Sequence, residues 1–281
     1  MSISATNSRP GPAARAPAGG EEPRSDEFVQ SFARGLAVIR TLGAAARPVT
    51  LSEVADAASL SRAATRRILL TLVRLGYVGQ DGRQFSLLPR VLELGYAYLS
   101  ALGAPELAQP ILNELAARAG ESCSLSVLDG DEIVYIARVP TRKIMTISLG
   151  VGTRLPATAT SMGRVLLGAA SAQRLQAVLA KGPFPARTPK TLTDPARLAA
   201  RIARDHAQGY SVVDEELEIG LCSIAVPVLN AAGRAVAALN VGASRGAYSP
   251  ADMKQRFLPL LQQAAAQLTL AIGARLTPVQ A

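Results

Sequence analysis

The sequence predicts an α+β protein with an N-terminal winged helix-turn-helix, a linker helix and a C-terminal domain built on an antiparallel sheet. Three observations lead there. Residues 28–88 show three short helical periodicities followed by one tight hairpin. Residues 28–90 hold nine Arg against three acids and no Lys, whereas residues 91–281 hold 18 basic and 14 acidic groups. Beyond residue 105, hairpin signals stand beside amphipathic helices, the pattern of an α+β layer that can enclose a small-molecule pocket. A chain of 281 residues, 49% of them hydrophobic, is long enough for two such cores.

Residues 1–27, with Pro10, Pro12, Pro17 and Pro23 among Gly and Ala, read as a disordered tail. The first helix follows, with Phe28, Phe32, Leu36, Ile39 and Leu42 at helical spacing and Gly43 and Pro48 closing it. A second helix fits Leu51–Ala58, because Thr50 and Glu53 have the spacing of a capping box. A third runs Arg62–Leu75, capped by Ser61, with Ala64, Ile68 and Leu72 turned inward. Gly76–Leu87 then alternates around Asp81-Gly82, a two-residue hairpin signal. The linker is expected over residues 89–104, as a helix Arg90–Leu102 whose Val91, Leu94, Tyr98 and Leu99 make a broad apolar side. That side fits either its own domain or a second copy.

The second domain is expected over 105–276, with 277–281 as a tail. Its first helix, Glu106–Ala119, turns Leu107, Ile111 and Leu115 inward. Strands Ser124–Leu128 and Glu132–Val139 flank the turn Asp129-Gly130, and Met145–Leu149 alternates as a further strand. Helices fit Ser161–Leu167, Ala172–Ala180 and Pro195–Gln208, the last capped by Asp194 and stopped by Gly209. Strands fit Tyr210–Val213, Ser223–Leu229 and Arg234–Val241, with Ala232-Gly233 as a turn, and Ser249-Pro250 opens a final helix to about Leu276.

Composition excludes several classes. No apolar run approaches the ~20 residues a bilayer needs. Residues 1–23 lack the apolar segment of a secretory signal. Two cysteines, Cys123 and Cys222, and one histidine exclude a disulfide framework and a Cys/His zinc site. The expectation is a cytoplasmic protein without a cofactor or membrane contact.

The Arg-only first domain points to nucleic acid, because the guanidinium forks onto phosphate and guanine. In a helix-turn-helix the second helix presents its N-terminal residues to base edges in the major groove. Here those residues are Ser61, Arg62, Thr65, Arg66 and Arg67, with Ser61, Arg62, Thr65 and Arg66 assigned to one face. Arg83 sits at the wing, where a phosphate or minor-groove contact is expected. A solvated Arg-rich helix in a protein-binding winged domain has the same composition.

Taken in order, several stretches resemble IclR-family transcriptional regulators over essentially residues 28–276. They are Ser31–Ile39, Leu51–Ala55, Leu75–Val78, Leu155–Leu167, Gly209–Glu216 and Gly220–Ala225. The resemblance implies a winged helix-turn-helix that reads double-stranded DNA, a linker helix used in dimerisation and a GAF-like effector domain. Arg138–Met145 and the run Ala159–Arg164 look closest to the Pca/Pob branch, whose members sense aromatic acids or β-ketoadipate-pathway metabolites. The same resemblance places the effector among the helix start at Thr160, Ser161 and Met162, the strand bearing Ser223, and the strand through Asn240. A carboxylate suits a helix N-terminus. Arg138 or Arg142 can add positive charge or be surface arginines, and Met145 or Met162 can lie against a ring. Ser223 stands where some relatives carry cysteine, and Val213 where some carry a carboxylate. The implied assembly is a homodimer or dimer of dimers on a palindromic or repeated operator.

Two other classes compete. A hydrolase would use Ser161, but its surroundings lack G-x-S-x-G, and His206 lies in a polar stretch beside Asp205. The carboxylates of Asp214–Glu218 read as a solvated acidic loop without further metal ligands. A non-catalytic protein-interaction module is the other alternative.

Overall fold

A computed structural model describes residues 28–45, 47–102, 104–141, 149–272, 276 and 279. Residues 1–27, Arg142, Met145, most of the strand expected at Met145–Leu149 and most of the 277–281 tail lie outside the described residues. The chain divides into two compact units after Val91.

The first unit runs α1 (Gln30–Ala45), β1 (Val49–Thr50), α2 (Leu51–Ala57), α3 (Arg62–Leu75), β2 (Val78–Asp81) and β3 (Gln84–Leu87). Its start signals act as the spacing implies. Thr50 accepts from the Glu53 backbone N–H, and the Glu53 carboxylate accepts from the Thr50 N–H at 2.7 Å, closing a capping box. A hydrogen bond from Arg47, with those from Thr50, holds the Glu53 carboxyl down to about 2. The Ser61 hydroxyl accepts from Ala64 N–H at 3.2 Å, and Gly76 ends α3 in the left-handed region at φ 78°. A short core of Val38, Leu42, Val54, Leu69, Leu72 and Phe85 ties the helices to a three-stranded sheet in the order β1-β3-β2.

The structure departs from the sequence expectations at several points in this unit. Helix α1 continues through Gly43 to Ala45, and its buried seam is Val38 and Leu42, while Phe28 and Phe32 are about two-thirds exposed. Helical spacing alone does not say which turns meet a neighbour, and only the C-terminal half of α1 does. Thr65 is fully buried and donates to the Ser61 carbonyl, so it leaves the outer face to Arg62 and Arg66. The inward stripe is Thr65, Leu69 and Leu72, with Ala64 and Ile68 only half-buried beside it. The wing turn is Gly82-Arg83, one residue later than Asp81-Gly82, with Gly82 at φ 55°. Strand β1 has no alternation to mark it in the sequence, because it is two residues long and runs straight into a helix cap.

The second unit runs α4 (Leu92–Leu102), α5 (Ala104–Ala119), β4 (Ser122–Asp129), β5 (Glu132–Val139), β6 (Arg154–Pro156), α6 (Ser161–Ala169), α7 (Ala172–Leu179), α8 (Pro195–Gln208), β7 (Ser211–Asp214), β8 (Leu221–Leu229), β9 (Ala235–Ser244) and α9 (Pro250–Ile272). Its six strands are antiparallel in the order β6-β5-β4-β9-β8-β7. Alternation along each strand separates two cores. Leu125, Ile224, Val226, Leu239 and Val241 face α5 and α9, and Ala225 and Ala238 face α6, α7 and α8. Leu107 is 39% exposed, against expectation, because the seam of α5 falls on Ala108, Leu112, Leu115 and Ala119.

Among the described residues no helix is long and apolar enough to cross a membrane. No group of three or more His, Cys, Asp or Glu is placed there to hold a metal ion.

Candidate functional site

In the first unit the N-terminal turn of α3 presents Arg62 and Arg66, four residues apart and both exposed, with exposed Arg83 at the wing tip. Arg67 is exposed too, but it lines the groove between α1 and α3 together with Phe32 and Leu36. Ser61 is engaged as the helix cap. Of the six residues expected at this surface, Thr65 alone is buried.

In the second unit a cleft opens between the start of α6 and the sheet. It is lined by Thr160, Ser161 and Met162 from the helix, Tyr135 and Arg138 from β5, and Ser122, Ser223, Asn240 and Gly242 from the other strands. Cross-strand pairing explains the gathering. Ser124 pairs with both Arg138 and Asn240, and Gly242 pairs with both Ser122 and Ser223. Two adjacent polar rows therefore cross the sheet beneath α6. Tyr135 and Arg138 are an odd number of residues apart, so strict alternation puts them on opposite faces. A bulge resolves this: Tyr135 pairs with Ser126 and Ala137 with Leu125, leaving Ile136 as the extra residue.

The polar groups are already partly engaged. The Ser161 and Ser223 hydroxyls lie 2.9 Å apart across the cleft, both residues at most 8% exposed. Thr160 is used as the N-cap of α6, accepting from Gly163 N–H at 3.2 Å. The Met162 sulfur accepts from Ser126 at 3.2 Å. Arg138 donates to Ser124 at 2.8 Å and lies 5.9 Å from the Tyr135 ring. Burial pushes the Arg138 pKa down and the Tyr135 phenol up. The Asn240 carbonyl oxygen is buried and has no hydrogen-bond partner among the described residues. A Cβ on Gly242 would meet nothing nearer than 4.0 Å, so the floor recedes there.

The free space is about 30 Å³. Small-molecule pockets run to ~300–1,000 Å³, so a ring-sized ligand enters only if the walls separate. A second hollow of about 500 Å³ lies at the other end of α6, lined by Val165, Ala169, His206, Leu229 and Arg234. Among the described residues, none of those expected for an effector lines it.

Sequence reasoning missed Arg164 and Glu216. Arg164 is fully buried and donates through Nη1 to Glu216 at 2.7 Å and through Nε to the Thr158 carbonyl at 3.0 Å; Nη2 also meets Glu216. The acidic stretch Asp214–Glu218 is thus not a solvated loop. Asp214 and Glu215 pair with Lys190, Asp214 also with Arg245, and Glu216 is buried. Its partners lie 24 to 52 residues away, which no local pattern reveals.

Residues 31–82 match the description "IclR helix-turn-helix domain", and residues 96–270 match "Bacterial transcriptional regulator IclR C-terminal". The chain is 45% identical over 243 residues to the Pca regulon regulatory protein of Pseudomonas putida, covering 86% of this chain and 84% of that one. A transcriptional regulator of Rhodococcus sp. RHA1 has a crystal structure at TM-score 0.76 and 48% identity, covering 87% of this chain and 98% of that chain. An IclR homolog of Microbacterium hydrocarbonoxydans, crystallised with 4-hydroxybenzoate, superposes at TM-score 0.75 with 26% identity, covering 87% of this chain and 100% of the other.

Proposed function

Since the chain belongs to the IclR family of bacterial transcriptional regulators, we propose that it controls genes of aromatic-acid catabolism in response to a small carboxylic acid held in the α6 cleft. Membership makes it a DNA-binding regulator rather than an enzyme. The chemistry agrees: the only histidine, His206, lines the hollow at the far end of α6, so Ser161 has no imidazole partner in the cleft.

The observation that carries the ligand reading is the convergence of Arg138, the start of α6 and the Ser161–Ser223 hydroxyl pair on one enclosed space. A carboxylate gains there from a guanidinium and a helix dipole at once. The 4-hydroxybenzoate bound to the Microbacterium relative and the name of the Pseudomonas relative support an aromatic acid or its ring-opened product. The test is calorimetry of the full chain with 4-hydroxybenzoate, protocatechuate and β-ketoadipate. Binding of at least one is expected; silence from all three refutes the aromatic-acid reading.

DNA is read by Arg62, Arg66 and Arg67 from α3, held by the Ser61 cap, with Arg83 on the flanking backbone. One winged unit covers too little DNA for high specificity, so two or four copies on a palindromic or repeated operator fit the reading. Helix α4 offers the surface: Leu92 and Tyr96 are 70% and 65% exposed, and Leu94 and Tyr98 are more than half exposed. Light scattering at micromolar concentration should give twice or four times the chain mass of 29.2 kDa. A monomer with and without DNA rules the assembly out.

A further inference from the structure

We propose that the buried Arg164–Glu216 pair is the positioning device of the effector cleft, locking the loop that forms one wall to the helix that forms the other. The inference rests on the cleft being the effector site, but it concerns residues that never touch the ligand. Arg164 does not line the cleft, and all three guanidinium nitrogens are engaged by Thr158 and Glu216. Its charge is therefore spent inside the protein, and it cannot be the receptor for a carboxylate.

What it does instead follows from its partners. One turn upstream on α6 lie Thr160 and Ser161, and Thr158 precedes them in the short helical turn that feeds α6. Glu216 lies between Val213 and Leu217, both wall residues of the cleft. The loop between β7 and β8 has no regular structure of its own, and it passes through Glu215 at φ 56° and Gly220 at φ 85°. Such a segment holds one shape only if outside contacts impose it. The Glu216 carboxylate also accepts from Leu192 N–H at 3.1 Å, while Thr191 and Thr188 donate to the carbonyls of Glu216 and Glu215. One buried fork thus joins α6, the turn before it, the 187–192 segment and the 214–218 loop.

A buried ion pair is weak evidence for stability, because desolvation offsets much of its attraction. A fixed, directional fork between two walls is better explained by the geometry it imposes. The test compares wild type with Arg164→Met/Glu216→Leu, in which both charges leave together and neither is stranded, and with Arg164→Lys. Hydrogen–deuterium exchange on the full chain should show segments 160–167 and 213–221 exchanging at least tenfold faster in the double variant, with β4 and β9 unchanged. The Kd for whichever of the three acids binds wild type should rise at least tenfold, with Arg164→Lys between the two. A lower melting temperature with an unchanged Kd means a merely structural pair and overturns the proposal, as does unchanged exchange of both segments. If wild type binds none of the acids, the ligand reading fails by itself, and the exchange result still decides whether the pair sets the walls.

Discussion

Replacing Arg62 or Arg66 by alanine is expected to weaken binding to the cognate duplex by ~1–3 kcal/mol, about 5- to 150-fold, while leaving the melting temperature unchanged. Both side chains are exposed on the first turns of α3 and sit four residues apart, so they project from the same face. Their backbone is rigidly presented: Ser61 caps the helix, and Thr65 anchors the same turn to the core. An arginine held this way can fork onto guanine O6 and N7 in the major groove. Arg67→Ala, which removes a side chain lining the α1–α3 groove, should cost less. The measurement is fluorescence anisotropy on a duplex selected from random sequence, repeated over a salt series. A loss confined to the selected sequence assigns a base contact. A uniform loss with a shallower salt slope assigns a phosphate contact instead. No loss in either variant removes α3 from the interface.

The parts of this fold that sequence made legible are those governed by local chemistry. The capping box at Thr50 and Glu53, the Ser61 and Asp194 caps and the stop at Gly209 each act within a few residues, and each stands where its pattern puts it. Helix α8 has the bounds its cap and stop imply, Pro195–Gln208. What was not legible depends on distant partners. Whether Phe32 or Val38 is buried depends on where α3 crosses α1. The bulge at Ile136, which brings Tyr135 and Arg138 to one face, is a property of pairing with β4 and leaves no mark in the strand itself. Glu216 looks like one more carboxylate in an acidic run until Arg164 is found 52 residues upstream. The cleft's helix start and strand residues were readable through family resemblance, because resemblance carries tertiary information that periodicity lacks.

Ser161→Leu is expected to abolish effector binding, with Kd rising by at least 100-fold, while affinity for the selected duplex without effector stays within about twofold. The physical case is volume. Ser161 is 1% exposed at the mouth of a helix, and only about 30 Å³ is free around it. A leucine side chain takes that space and more, and overpacking typically costs ~1–3 kcal/mol. It also removes the 2.9 Å partner of the Ser223 hydroxyl, leaving a buried polar group to be resolvated or stranded. Some loss of stability is therefore expected in the second unit, and a cooperative thermal transition of the variant is the check that this unit remains folded. Ser161→Ala separates the two causes, because it deletes the hydroxyl but keeps the space. It should weaken binding only by the value of one hydrogen bond, ~0.5–1.5 kcal/mol or about 2- to 13-fold. Calorimetry with the acid that binds wild type reads both. If the leucine variant binds as wild type does, the effector does not sit at the start of α6. The roomier hollow at the other end of that helix, where His206 and Arg234 face Val165 and Leu229, is then the place to look, and Arg234→Ala is the variant that decides it.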